Sequence, residues 1–497
     1  MAFRPGKSQK SDGLVLPTTH YPKRPRGSFS YGLTRRLLRL LVALATVLAM
    51  TTFFVLSQQP PPPPDLSIPD DRFPPLYEDF RQRERNLSHY DAYQKNSSIK
   101  YFWAAQHAHS SGWGNVMQDY LMMALLAHAT GRSFVFDDYI WNANGSVYSD
   151  FDGILVPSRI PLSALLGGPL VGGPRLPGDN TPRSVNKHFF ERVCPNPTVV
   201  HVSDVNTNDM RFSDTVPVTD VFNTWVDTID AIDDPCVMLG PNGNQVFDNW
   251  VFGKKHRMLP FWPTISRSPV LTSWDWSTLV HAAYKRNRHL FKRFPHRSSR
   301  LVTLLDNLGL SGSDAPNSVI KGLMAIHVRR GDFEAHCRHL AEWDADWHAW
   351  NSFPEFIDKF EKPTNASPDR VLDTYIKHCY PDIPQIVDRV RSVRQESRSK
   401  HDLNYLYIMT NAPASWVEEL KHALFEDAEK RRQKWKSVKS SQDLELTWEE
   451  AFVSQGIDMF VAQRAEVIIG NGWSSLTSNA VMLRMVHGFP TDSMRFW

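Results

Sequence analysis

Cysteine is scarce: four residues in 497, too few for a disulfide-dense scaffold. A one-sided charge is missing as well. Lys and Arg total 56 against 53 Asp and Glu, a formal net charge of +3, and no basic face beyond the N-terminal region suggests a nucleic-acid partner. No internal repeat is visible, which sets aside repeat architectures. What is present points to a folded body. Hydrophobic residues make up 41% and aromatics 12%, including 16 Trp, which excludes a mainly disordered chain and allows one large or two medium domains.

The long uncharged apolar run is Leu40–Leu56, 17 residues that span roughly 26 Å as a helix. Arg35, Arg36 and Arg39 precede it, with Lys23, Arg24 and Arg26 further upstream. The positive-inside rule then reads residues 1–39 as a cytosolic tail, 40–57 as a signal anchor and the rest as luminal. A cleaved signal peptide is the rival, but 39 residues are long for its leading segment. Residues 58–98, with the run Pro60–Pro64, read as an extended stem. The expectation is a single-pass type II protein of the Golgi or endoplasmic reticulum membrane. Cys194 and Cys236 lie in the first half of the body, Cys337 and Cys379 in the second, so the plain expectation is one bridge per half. Sequons at Asn86, Asn96, Asn144 and Asn365 fit the same compartment.

The body reads as α/β. YFWAAQ from Tyr101 is a strand, His109–Asn115 a small-residue loop, Asn115–Ala129 a helix stopped by Gly131, and Ser133–Phe136 a buried strand. That is a βαβ unit. Residues from about Ile140 to Leu310 are rich in Pro, Trp and Asn, with helices expected near Trp276–Arg293 and Ser298–Leu308. Ser311–Asn317 is the expected linker between an N-terminal domain (99–312) and a C-terminal one (313–497). Beyond it, Leu323–Val328, Leu403–Thr410 and Val467–Ile469 are strands, and a helix runs from Ser475 to Met485.

Ligands of open parallel sheets bind at the carboxyl ends of strands. Here those ends offer Arg329, Arg330 and Asp332, then Thr410-Asn411, then Gly470-Asn-Gly-Trp-Ser474-Ser475 running into a helix. Free N–H groups, hydroxyls and the positive end of a helix dipole make an anion site, and arginine adds a planar fork suited to a diphosphate. A helix-capping Ser-Ser and a surface Arg-Arg are the plain alternatives, each common. Together the residues describe a nucleoside-diphosphate site.

Order along the chain adds a resemblance. His327-Val-Arg329-Arg330-Gly-Asp332-Phe333 resembles the H-x-R-x-G-D-type motif of the inverting fucosyltransferases, the protein O-fucosyltransferase and α1,6-fucosyltransferase group. Asp458-Met-Phe-Val-Ala-Gln-Arg464, followed by Ile468-Ile-Gly-Asn-Gly-Trp-Ser474-Ser475-Leu-Thr477, is similar to its last motif. Gly112-Trp-Gly-Asn115 is similar to its first loop. The resemblance covers about residues 100–490 and implies a GT-B fold of two Rossmann-like domains binding GDP-fucose between them. It implies Arg329, supported by Arg330, as the catalytic cations. Ser474, Ser475 and Thr477 would hold the β-phosphate, His327 and Asp458 would lie on the nucleotide side, and Asn115 would reach across from the first domain. Asp332 belongs to the same donor-side set. No metal or separate cofactor is implied, and the acceptor would be a secreted glycoprotein or glycan.

The chain departs from that family in one place. Where some members carry a Glu base before the first loop, this sequence has Ser110 and Ser111, leaving Asp119 and Asp332 as candidate bases. Asp344-Ala-Asp346 spells a metal-binding D-x-D of another transferase fold, and His336, Cys337 and His339 fit no standard zinc spacing. The alternatives are an inactive, transferase-like glycan-binding protein and a transferase that uses another nucleotide sugar.

Overall fold

The structure is a computed structural model, and it describes residues 73–94, 98–151, 153–205, 210, 213–241, 245–292 and 318–497. The anchor, the proline run, the helix expected at Ser298–Leu308 and the linker Ser311–Asn317 lie outside the described residues. Among the described residues no helix is long and apolar enough to cross a membrane.

Two separate parallel sheets organise the body. In the first, β1 (Tyr101–Ala104), β2 (Ser133–Phe136), β3 (Val185–Asn186), β4 (Thr198–Val200) and β5 (Cys236–Leu239) are ordered β3-β2-β1-β5-β4. Parallel neighbours need a crossover, and α1 (Trp113–Ala129) supplies the one between β1 and β2. Its WGNVMQDYLMMALLAHA sequence is apolar nearly all round, so α1 is buried along almost its whole length rather than on one stripe. Gly131, at φ +61°, ends it in a conformation that a side chain disfavours.

The second sheet holds β6 (Ile320–Val328), β7 (Tyr405–Thr410), β8 (Ser437–Ser440), β9 (Ala465–Gly470) and β10 (Met494–Phe496), ordered β8-β7-β6-β9-β10. β6 and β9 are central, covered on both faces, and correspondingly continuous in apolar sequence. Three helices frame the carboxyl ends of these strands: α2 (Phe333–Glu342), α3 (Ser454–Arg464) and α4 (Ser475–Val486). One contiguous hydrophobic core runs from Tyr77 to Phe496 and includes residues of both sheets.

The helix Glu78–Arg85 corrects the expected stem. Tyr77 is 1% and Phe80 6% exposed, and the Tyr77 hydroxyl donates to the Glu449 carbonyl at 2.7 Å. Six charged residues in the segment disguised the buried aromatics Tyr77 and Phe80. The middle third resolves into short hairpins and helices, including Val218–Asp230 and Thr278–Phe291, the second capped by the Ser277 side chain.

Disulfides join Cys194 to Cys236 and Cys337 to Cys379, one in each half as expected. The first ties the end of a short helix to the start of β5. The second ties α2 to the helix Pro368–Cys379, beside the cleft described next.

Candidate functional site

The glycine-rich turn after β9 owes its shape to close approach rather than to unusual backbone angles. A Cβ on Gly470 would sit 2.1 Å from Thr477 Cγ2, and one on Gly472 would sit 2.3 Å from the Trp347 ring. Neighbours fix the turn from three sides. Asn351 Nδ2 donates to the Gly472 carbonyl at 2.9 Å, the His348 N–H donates to the same carbonyl at 2.9 Å, and Asn471 Nδ2 donates to the Cys379 carbonyl at 2.7 Å. Ser474 then caps α4 by position but places no side-chain bond on its first turn. The first N–H groups of α4 have no intrahelical acceptor and point out of its end.

The amino end of α1 arrives at the same place. A Cβ on Gly114 would meet Ser475 Oγ at 2.6 Å and the Leu476 nitrogen at 2.9 Å. Asn479 Nδ2 donates to the Gly114 carbonyl at 2.7 Å. Two helix N-termini, one from each half, are thus pressed together, and both project partial positive charge. They open into a cleft of about 420 Å³ lined by Asn115, His327, Arg329, Ser474 and Ser475.

Arg329 supplies the full charge. Its guanidinium lies 4.9 Å above the Phe333 ring and reaches Asp332 at 3.2 Å. Burial pulls its pKa down and Asp332 opposes that, but a guanidinium stays protonated at neutral pH. His327 is buried behind it. Its Nδ1 pairs with Thr477 Oγ1 at 2.8 Å, and that hydroxyl also accepts the Asn471 N–H at 3.2 Å. Burial first, and Arg329 second, push the His327 pKa down to about 3, so the ring is neutral. The neutral ring pairs with the Thr477 hydroxyl through Nδ1 and lines the cleft.

The structure separates the remaining sequence-predicted residues from this group. Asn115 lines the cleft and donates to Ser111 Oγ at 3.0 Å. Thr477 is fully buried and acts through His327 and the turn. Arg330, expected beside Arg329 as a catalytic cation, is turned away. It donates to the Pro381 and Arg329 carbonyls and stacks between Tyr380 at 4.3 Å and Trp416 at 4.2 Å. Just past the end of β6 the two side chains diverge, and only Arg329 faces the cleft. Asp458, expected on the nucleotide side, spends both oxygens internally, accepting from Tyr407 at 2.7 Å and Ser441 at 2.8 Å. Asp332 is an exposed partner of Arg329.

Asp119, a candidate base, is 2% exposed and accepts the Ala108 N–H at 2.6 Å beneath the β1 loop. Burial raises its pKa to about 6. The D-x-D carboxylates line the cleft but already face lysines: Asp344 and Asp346 lie 3.0 and 3.4 Å from Lys362, and Asp346 lies 3.7 Å from Lys255. Among the described residues no group of three or more His, Cys, Asp or Glu is placed to hold a metal ion. Sequence reasoning missed Trp250, Lys254, His336 and Trp343 as cleft residues. Only the Trp-rich composition of these stretches signalled them.

No protein-family profile matches the chain, and no curated protein matches it by sequence. Solved structures do. POFUT1 in complex with GDP is similar at 13% identity and a TM-score of 0.43, over 81% of this chain and 99% of that one. The α1,6-fucosyltransferase NodZ, soaked with GDP-fucose, is similar at 11% identity and 0.33, over 77% and 92%. An Arabidopsis thaliana FUT1 variant in complex with GDP is similar at 10% identity and 0.34, over 83% and 79%. The structural likeness is to GDP-fucose fucosyltransferases. At this level of identity function does not transfer with it, and the reading below rests on the site.

Proposed function

We propose that the chain is a fucosyltransferase of GT-B type that uses GDP-fucose and inverts the anomeric centre without a metal ion. The observation that carries this is the meeting of two helix N-termini beside Arg329, one N-terminus from each half of the body. Breaking the sugar–phosphate bond leaves negative charge on the departing diphosphate. Preorganised N–H groups, the Ser475 hydroxyl and a fixed guanidinium stabilise that charge where a metal would otherwise be needed. The neutral His327 lines the site without adding a competing charge. The motif order that resembles the inverting fucosyltransferases selects GDP-fucose among nucleotide sugars. The acceptor is a secreted glycoprotein or glycan.

A luminal, membrane-anchored location in the secretory pathway belongs to the same proposal. Two disulfides and exposed sequon residues Asn86, Asn144 and Asn365 support it. Melting of the protein with GDP, GDP-fucose and UDP, each with and without EDTA, tests the donor. A ligand that binds only the folded state raises the melting temperature. The expected result is a rise with both guanosine ligands that EDTA leaves intact. A rise confined to UDP and abolished by EDTA would overturn the proposal.

A further inference from the structure

Beyond the phosphate anchors, the cleft continues to a mouth whose walls are unusual. Trp250, from the first half, and Trp343, at the end of α2, both line it, and they are 46% and 60% exposed. Large indoles left in water in one concave site are side chains whose burial by a ligand is favourable. A ladder of ring contacts leads to one of them from the reaction centre. Arg329 lies over Phe333 at 4.9 Å, Phe333 meets His336 at 5.0 Å, and His336 meets Trp343 at 6.2 Å. The Lys254 ammonium, ion-paired to Asp214 at 3.0 Å, stands 4.6 Å from the Trp250 ring, His339 stacks on Trp343 at 5.5 Å, and Asp346 lines the same cavity.

We propose that this mouth is an acceptor subsite for a carbohydrate ring, with Trp250 and Trp343 as its stacking faces. The inference rests on the fucosyltransferase reading, because it places the mouth on the far side of the transferred sugar from the diphosphate. A pyranose has an apolar face of C–H bonds and a rim of hydroxyls. The two indoles match the face, and the imidazole of His336 matches the rim, together with the Asp346 carboxylate and the Lys254 ammonium, whose remaining acceptor and donor positions lie beyond their ion pairs with Lys255, Lys362 and Asp214. A folded protein domain would instead need a broad, shape-matched surface, whereas these groups sit inside a concave site.

Isothermal titration of the GDP-loaded protein with chitotriose, N-acetyllactosamine and mannotriose tests the assignment. At least one of the three is expected to bind saturably. Trp343→Ala and Trp250→Ala are each expected to weaken that binding at least about tenfold, and Trp343→Phe to retain most of it. The GDP-induced rise in melting temperature is expected to be the same in all three variants, which also shows that they fold. Binding of none of the sugars overturns the subsite, as does binding that survives both alanine substitutions. Loss of the GDP response in Trp343→Ala also overturns it, by assigning the indole to the donor's base. Sugar binding by a protein that never responds to GDP keeps the subsite and removes the donor reading instead.

Discussion

Both sheets end in charged residues above a cavity, and the two ends behave differently. Above the first sheet, β2 runs into Asp137 and Asp138, and β3 into Lys187, around a space of about 280 Å³. There the charges are matched from within: Arg81 reaches Asp138 at 2.8 Å, Lys187 reaches Asp137 at 3.2 Å, and Glu84 accepts from Ser163 and Asn186. Burial alone would raise the Asp137 carboxyl, but His107 and Lys187 hold it below the usual carboxylate range. Above the second sheet, among the described residues Arg329 has only the exposed Asp332 as an ionic partner, and two helix ends add to its field. A strand end becomes a binding site when its charge is left uncompensated. The first end is a clasp and the second is a receptor.

The sharpest way to break this contrast is Arg329→Ala. Transfer should fall by about 10²–10³-fold, the scale of losing one preorganised transition-state donor, with melting of the free protein nearly unchanged. Equal transfer rates would show that the cation is not part of the chemistry. Arg330→Ala should do the reverse: about 3 kcal/mol of stability lost in denaturant titration, because buried carbonyls and two aromatic faces lose their partner. Transfer per folded molecule should change far less than in the Arg329 variant. Above the first sheet, Asp138→Asn should cost about 1 kcal/mol and leave transfer untouched. A loss of turnover there would mean that the clasp also handles substrate.

The smallest effect is one of pH. Burial lowers His348 to about 3, and its unfolded value is roughly 6.5. Between those values the unfolded chain binds a proton that the folded one refuses. The contribution of His348 is therefore complete above about pH 6.5 and is lost as pH falls toward 3. His327 acts in the same direction, while Glu84, raised to about 7, and Asp458, raised to about 6, act oppositely. His348→Gln should flatten the decline of stability measured from neutral pH down to about pH 4; an unaltered slope would count against the buried neutral ring.

Some elements were directly legible in sequence, and for a physical reason. β2 and the start of α4 fall where the pattern put them, because a buried strand must be apolar and a tight turn must carry glycine. What local pattern hides is direction. Arg329 and Arg330 look equivalent in sequence, and only the path of the chain beyond β6 decides which faces the cleft. Asp458 sits in a recognisable motif, yet Tyr407 and Ser441, from distant segments, take up its oxygens. Short strands such as β8 and β10 gave no signal, since four and three residues are too few to show a period. Trp250 and Trp343 were hidden because exposure is a property of the folded surface.

The contact between Gly114 and Ser475 has one more consequence. Two like-signed helix ends held within van der Waals reach repel each other, and an anion seated between them turns that repulsion into attraction to a common centre. Donor capture and the cohesion of the two halves are therefore one equilibrium. Binding of a nucleotide sugar would then raise the stability of the protein as well as supply its substrate.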